Sequence, residues 1–203
     1  LEPDDSANAV NVSSLPELRD TDFIHPGMLH NQAELAFIKQ KVQAKESPWI
    51  DNWNQLLKER ISSLDYKSKA IENVVRGPYE KPDIGAGDME RASGAAYSQA
   101  VQWVVTQDPV HAHKAIEIFN DYAYTLKSIG DNDAKLLVGM TGLMMLNAAE
   151  IIRHTSSYWT EPDQQQFEKM IRDVYYETIM AKVWPAHTEW FPRANGNWDA
   201  SML

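Results

Sequence analysis

Apolar residues recur along most of this chain at intervals of three and four, the spacing that places side chains on one face of an α-helix. Leu35, Ile38 and Val42 form one such stripe, and Ile116 and Phe119 belong to another. No segment shows the sustained period-two alternation of a half-buried strand, so an all-α fold is predicted. The predicted helices run from Gln32 to about Lys45, from Ser47 to Ile61, from Asp88 to about Thr106, from Asp108 to Leu126, from Asp131 or Asp133 through Leu146, and from Thr160 to about Ala181.

Capping residues mark most of these helix starts. Ser47-Pro48 and Asp108-Pro109 each place a capping side chain before a proline, which suits the first helical position. Thr160 precedes a proline and an acidic first turn in the same way. Asp88 is predicted to cap the helix that follows residues 62–87. That segment contains "RGPYEKPDIGAGD", with two prolines and three glycines, and is interpreted as a long irregular loop of the kind that often contributes to functional sites.

Helices in pairs with short links predict stacked helical hairpins, either an (α/α) toroid or an α-solenoid. The lack of a fixed-length repeat favours the toroid. Residues 136–146 are apolar nearly all round, which predicts a buried helix. We expect a flexible leader over residues 1–23 and the N-terminal part of a toroid domain over residues 24–203, because the last helix begins too late in this sequence to find its partner.

The charge balance restricts the kinds of partner. The formal net charge is −10, from 19 basic and 29 acidic residues, which argues against non-specific nucleic-acid binding. A polyanionic substrate would need a locally basic or neutral cleft. No uninterrupted apolar run of 18 residues occurs, so no membrane span is predicted. The acidic start lacks the features of a signal peptide, although a mature chain after signal removal would look the same.

Metal-ligand motifs are not recognised in the sequence, and neither a metal nor a cofactor is predicted. There are no cysteines, which excludes disulfides and thiolate sites. His111 and His113 lie two apart on a predicted helix and therefore on different faces. Asp131-Asn132-Asp133 lacks the spacing of known calcium loops and is better explained by helix capping.

Two regions hold the candidate binding residues. The first is "ERASGAAYSQAVQW", where Arg91 and Tyr97 near a helix N-terminus could bind an anionic sugar, while its small residues also suit close helix packing. The second is "VWPAHTEWFPRANGNWDASML", where carboxamides donate hydrogen bonds without charge and an indole can stack on a sugar ring. The "NGN" run is equally typical of a turn. The candidates in this second region are His187, Trp190, Arg193, Asn195, Asn197 and Trp198.

The stretch "RASGAAYSQAVQWVVTQDPVHAHKAIEIFNDY" resembles the alginate-lyase-type domain of polysaccharide lyases. In that domain a helix of the form A-x-x-Y-x-x-A-x-x-W precedes a "T-x-D" turn and a second helix. "HPGMLHNQAELAFIKQKV", "LLVGMTGLMMLNAAEIIRH" and "NGNWDAS" are similar to other segments of the same domain, so the resemblance covers roughly residues 24–203. It implies an (α/α) toroid that cleaves a uronic-acid polysaccharide such as alginate or glucuronan, and we expect a periplasmic or secreted enzyme.

The chemistry implied by the resemblance is β-elimination. The C5 proton of a uronate is removed and the O4 substituent leaves, once an Asn, Gln or Arg has neutralised the carboxylate. A His or Tyr acts as base, and a Tyr commonly as acid. Asn197 matches the family's Asn and is assigned the neutralising role. Trp198 stands where the family has its His, so the base and acid are expected elsewhere, including beyond residue 203.

Two alternatives of different class stay open at the level of sequence. A glycoside hydrolase on a similar toroid needs two carboxylates across a cleft, and Asp88, Glu90 and Asp199 are available. A non-catalytic carbohydrate-binding helical protein would use the same aromatic and basic residues without turnover.

Overall fold

The computed structural model describes residues 23–179 of the chain. Within this part six α-helices account for most of the structure, which confirms the predicted mostly helical fold. Their bounds are α1 Gln32–Gln43, α2 Trp49–Leu56, α3 Ala86–Thr106, α4 Pro109–Thr125, α5 Ala134–Thr155 and α6 Glu161–Met170, the last continued by a π-helical turn, Ile171–Tyr176. Short 3₁₀ turns occupy Arg60–Ser62 and Pro78–Glu80.

The helices from α3 onward pack in two layers. In the first layer α3 and α5 lie side by side and parallel, since Trp103 Nε1 donates to Thr155 Oγ1 over 3.0 Å near their C-terminal ends. Close to their N-terminal ends, Arg76 contacts both Glu90 and Met140. The second layer contains α4, against α3, and α6, against α4. α3 and α4 thus form one helical hairpin of the kind expected of a toroid, while further hairpins and a closed ring stay a prediction.

The interior between the layers combines small and aromatic side chains. Four alanines on α3 are fully buried and allow its neighbours to approach closely: Ala92, Ala95, Ala96 and Ala100. Phe119 of α4 is also fully buried, with its ring centroid 5.0 Å from that of Trp159 and 5.4 Å from that of Phe167. Aromatic burial of this kind contributes much of the stability of a small core.

The prediction that α5 is buried all round is wrong on one face. Met140, Leu143 and Met144 are 38%, 51% and 37% exposed, because the described part of the chain covers α5 only from its other sides. By length and composition alone α5 could cross a membrane. However, 61% of its most apolar window is buried within the protein, as in the core helix of a folded domain.

A small sheet corrects the expectation that the chain has no strands. β1 Asn73–Arg76, β2 Asp83–Ile84 and β3 Ser128–Gly130 pair in the order β2-β1-β3. β1 runs antiparallel to β2 and parallel to β3. Strands of two to four residues are too short to show alternation in the sequence. The segment 62–87 is therefore partly an ordered hairpin rather than an irregular loop.

The hairpin between β1 and β2 closes tightly at Gly77. The Gly77 amide donates to the Pro82 carbonyl over 2.9 Å. A Cβ at Gly77 would lie 2.2 Å from the Lys81 carbonyl oxygen, so only glycine permits this approach. The turn presents Tyr79 to solvent, 93% exposed.

The predicted helix caps hold at α4 and α6 but not at α2 and α3. Asp108 accepts from the Val110 amide over 3.1 Å, and Thr160 accepts from the Asp163 amide over 3.4 Å. At α2 the N-cap position is Pro48 and receives no side-chain hydrogen bond, because the Ser47 hydroxyl donates to the Asp51 carboxylate instead.

At α3 the N-cap position is Gly85, and the carboxylate that caps the first helical amides comes from Asp83 rather than from Asp88. Asp83 Oδ1 accepts from the amides of Ala86 and Gly87 over 2.9 and 3.2 Å. Gly85 makes the turn between cap and helix with a φ of +75°, in the left-handed region. β2 thus holds the capping carboxylate in place, and Asp88 is left free to pair with Arg91.

Candidate active site

Arg91 lies at the edge of a cavity of about 340 Å³ formed by the start of α3 and the segment that precedes β1. The cavity is lined by four cationic side chains, two carboxylates and two hydroxyl groups: Arg60, Lys67, Lys69, Arg91, Asp65, Asp88, Ser63 and Tyr66. On a chain of net charge −10, this local excess of positive charge is the kind of surface that a polyanion requires.

Hydrogen bonding and burial raise the pKa values of two side chains in this cavity, which we call the basic cavity. Arg91 Nη2 donates to Asp88 Oδ1 over 2.8 Å, and that hydrogen bond raises the pKa of the half-exposed guanidinium. Burial raises the pKa of Tyr66, and the nearby Asp88 carboxylate raises it further. The Tyr66 hydroxyl therefore stays protonated and can donate a hydrogen bond to an anionic ligand.

Tyr97 lies elsewhere on α3 and contacts a histidine that the sequence did not single out. Its hydroxyl hydrogen-bonds His30 Nε2, and the two rings are nearly parallel, 13° apart in plane with centroids at 5.9 Å. Burial raises the pKa of the Tyr97 phenol. A hydroxyl that keeps its proton, bonded to an imidazole, is a pair suited to proton transfer.

His30 is held in this position by the segment that crosses α3 and α5 ahead of α1. The Leu29 amide donates to Asn147 Oδ1 on α5 over 2.9 Å. Asn31, the residue after His30, caps α1 in a reciprocal arrangement with Glu34. The sequence contains His30 within "HPGMLHN", but Tyr97 lies 67 residues further along, so no local pattern could show that the two meet.

The structure does not bring Arg91 and Tyr97 to one site. Six residues of an α-helix rotate by about 120° net, so the two side chains leave α3 in different directions. Arg91 faces the basic cavity, whereas Tyr97 faces His30. The remaining predicted residues lie outside the described part of the chain: His187, Trp190, Arg193, Asn195, Asn197 and Trp198.

Arg76 occupies the space between β1 and the starts of α3 and α5. Its side chain is only 10% exposed, with Nη2 at 3.5 Å from Glu80 and 3.8 Å from Glu90. Its Nε has no hydrogen-bond partner among the described residues. Arg76 partly neutralises Glu90, and Arg91 pairs with Asp88. Both described carboxylates proposed for a hydrolase are therefore engaged by arginines.

One group of side chains has a composition that could hold a metal ion. His25, Glu150 and His154 each offer a ligand atom, and the three atoms lie within 4.8 Å of one another. His25 precedes Glu150 by 125 residues, so sequence spacing gave no sign of this group. Glu150 lies toward the C-terminal end of α5, about 15 Å along the helix from Met140, the residue that Arg76 contacts.

Comparison with known proteins identifies a family. The alginate lyase family model matches residues 75–201, more than half of the chain, and this range includes Arg76, Arg91, Tyr97 and Asn197. None of the curated proteins and none of the solved structures matches the chain.

Proposed function

The chain belongs to the alginate lyase family and is a polysaccharide lyase, and on this basis we propose that it cleaves a uronic-acid polymer, alginate or glucuronan, by β-elimination. The basic cavity on an acidic protein supports a polyuronate as substrate, because it offers cations where the overall charge would repel the polymer. Membership of a lyase family favours elimination over the alternatives of glycoside hydrolysis and binding without turnover.

In the proposed reaction Asn197 donates a hydrogen bond to the carboxylate of the uronate that is cleaved. A carboxamide carries no charge and does not titrate, so it stabilises the negative charge that develops when the C5 proton leaves. The support for this role is the resemblance of "NGNWDAS" to a segment of the family, and Asn197 lies within the range that the family model matches.

The contact between His30 and Tyr97 is the observation that carries the proposed acid–base chemistry. His30 Nε2 accepts the C5 proton, while the Tyr97 hydroxyl gives its proton to the departing O4 oxygen. The hydrogen bond that joins them then returns a proton from the imidazole to the phenolate, which restores both groups. The raised pKa of Tyr97 keeps the phenol protonated at the start of each cycle and favours the return of the proton from the imidazole to the phenolate.

In this proposal His30 takes the role of the family's histidine, because this chain has Trp198 at the position of that residue. The basic cavity around Arg91 is proposed to hold the carboxylate of another sugar in the same polymer, away from the bond that is cleaved. Because polymers of this kind are found outside the cell membrane, we propose a periplasmic or secreted location, which cell fractionation tests.

The test is the absorbance of the 4,5-unsaturated uronate product at about 235 nm, with alginate and with glucuronan as separate substrates. Tyr97→Phe retains the ring and removes the hydroxyl, so kcat should fall by about 10²–10⁴-fold. Asn197→Ala should lower kcat by about 10²–10³-fold. Tyr124→Phe is the matched control, since it removes the hydroxyl of an exposed tyrosine that bonds only Asp163 among the described residues.

The possible results separate the hypotheses. Reducing sugar released without absorbance would indicate a hydrolase, and binding without either signal would indicate a non-catalytic protein. Full activity in Tyr97→Phe would reject the acid–base assignment but leave the lyase reaction standing. Absence of absorbance on every uronan tested would reject the proposed substrate class.

A further inference from the structure

We propose that His25, Glu150 and His154 form a binding site for Zn²⁺. Glu150 and His154 are four residues apart on α5 and therefore project from the same face of the helix. His25 reaches them from the segment ahead of α1. The site shares no residue with those proposed for catalysis.

The two imidazoles already lie against the same carboxylate. His25 Nδ1 lies 2.5 Å from Glu150 Oε1, and His154 Nε2 lies 3.5 Å from Glu150 Oε2. The two imidazole rings stack, with centroids 4.2 Å apart and planes 11° apart. One carboxylate therefore contacts both imidazoles, each through a different oxygen.

Two imidazoles and one carboxylate are a ligand set that Zn²⁺ uses in proteins, with water in the fourth position. Ligands about 2.0–2.1 Å from a tetrahedral Zn²⁺ lie about 3.3 Å from one another. The ligand atoms here lie within 4.8 Å of one another. Rotation of the three side chains would bring these atoms to the spacing of ligands around one ion.

The surroundings also match what metal sites need. The Gly27 amide donates to Glu150 Oε1 over 2.9 Å, which orients the carboxylate as hydrogen bonds behind metal ligands do. Glu150 lines one cavity of about 560 Å³, and His154 lines another of about the same volume. The group can thus be reached by an ion and by the water that completes its shell.

A bound Zn²⁺ would join the segment around His25 to α5. Because His30 is five residues further along the same segment, the metal would also help to hold His30 against Tyr97. Only this last consequence rests on the proposed function. The binding itself is tested without any measurement of activity.

The experiment uses the whole chain, stripped of metal with EDTA and dialysed. Titration with Zn²⁺ in a calorimeter should show binding of one equivalent, and Zn²⁺ should raise Tm relative to the stripped protein. Co²⁺ as a spectroscopic probe should give the visible absorption of a four-coordinate site with nitrogen and oxygen ligands. The Co²⁺ spectrum reports on the ligand atoms, and the heat of binding and Tm report on the affinity.

Variants of the two α5 residues decide whether Zn²⁺ binds at this group. Glu150→Gln and His154→Gln should each weaken Zn²⁺ affinity at least about tenfold, as even changes behind metal ligands do. His113→Gln is the matched control, because His113 is an exposed histidine on α4 whose ring packs on Tyr158. If Glu150→Gln does not fold, His154→Gln still decides, since its side chain is 26% exposed. Absence of a binding signal in the unaltered protein, or equal affinity in His154→Gln, would overturn the proposal.

Discussion

Replacement of Asp83 by Ala should destabilise the protein through the start of α3. Asp83 Oδ1 accepts hydrogen bonds from two amides that have no partner within the helix, those of Ala86 and Gly87. Loss of a side chain that accepts from the first amides of a helix, as an N-cap side chain does, costs about 1 kcal/mol of unfolding free energy, within a range of about 0.5–2 kcal/mol. α3 packs against α1, α4 and α5, so its first turn cannot rearrange without disturbing their contacts.

Asp88→Ala is the matched control, because it removes a carboxylate of the same helix that does not cap it. Asp88 instead pairs with Arg91, and the two side chains are 32% and 50% exposed. A surface ion pair of this kind is worth about 0–1 kcal/mol and commonly less than half of that. Asp83→Asn should stay close to the unaltered protein, since a carboxamide oxygen caps as well as a carboxylate.

Thermal and urea unfolding followed by far-ultraviolet circular dichroism measure the difference. For a chain of this size 1 kcal/mol corresponds to about 2–4 °C in Tm, so Asp83→Ala should melt about 2–4 °C lower. Asp88→Ala should shift by less than half of that. If Asp88→Ala cost as much as Asp83→Ala, the assignment of the cap to the β2 residue would be wrong.

Three further outcomes can be measured on the same protein. Phe119→Ala should cost about 3–5 kcal/mol in urea unfolding, because the ring is fully buried, and a loss under 1 kcal/mol would contradict that packing. Gly77→Ala should cost about 1–3 kcal/mol, since its Cβ would meet the Lys81 carbonyl at 2.2 Å; an unchanged Tm would show that the hairpin opens freely. The Tyr124 hydroxyl lowers the pKa of Asp163 below its ordinary 3.8, so the stability that Asp163 contributes is present above that pH and lost as the pH falls through the folded pKa. Asp163→Asn should therefore lose less Tm than the unaltered protein on acidification from about pH 5 to pH 3, and parallel curves would count against this contribution.

Local features of the sequence determined the helices and several of their ends. A helix is built from hydrogen bonds between residues four apart, and its cap involves residues two or three apart. Short-range pattern was therefore enough to place α1, α4 and the start of α6. The caps at Asp108 and Thr160 follow the same logic. The similarity of short stretches, read together, also identified the family.

Local pattern failed where a partner distant in sequence decided the outcome. Asp83 caps α3, and not Asp88 as predicted, because β2 pairs with β1 and places Asp83 beside the first helical amides. β1 in turn pairs Asn73 with Ser128, far along the chain. Neither strand is long enough to show its own periodicity.

For the candidate site, too, the sequence identified some residues and only the structure showed which of them meet. The sequence alone selected Tyr97 and Asn197 by residue type and resemblance, and it selected Arg91 as a cation at the start of a helix. Only the tertiary structure placed His30 against Tyr97 and His25 against Glu150. It also separated Arg91 from Tyr97 on α3. The physical reason is that contacts between distant segments depend on how helices pack, and the packing of α3 beside α5 is a property of the whole chain rather than of any stretch within it.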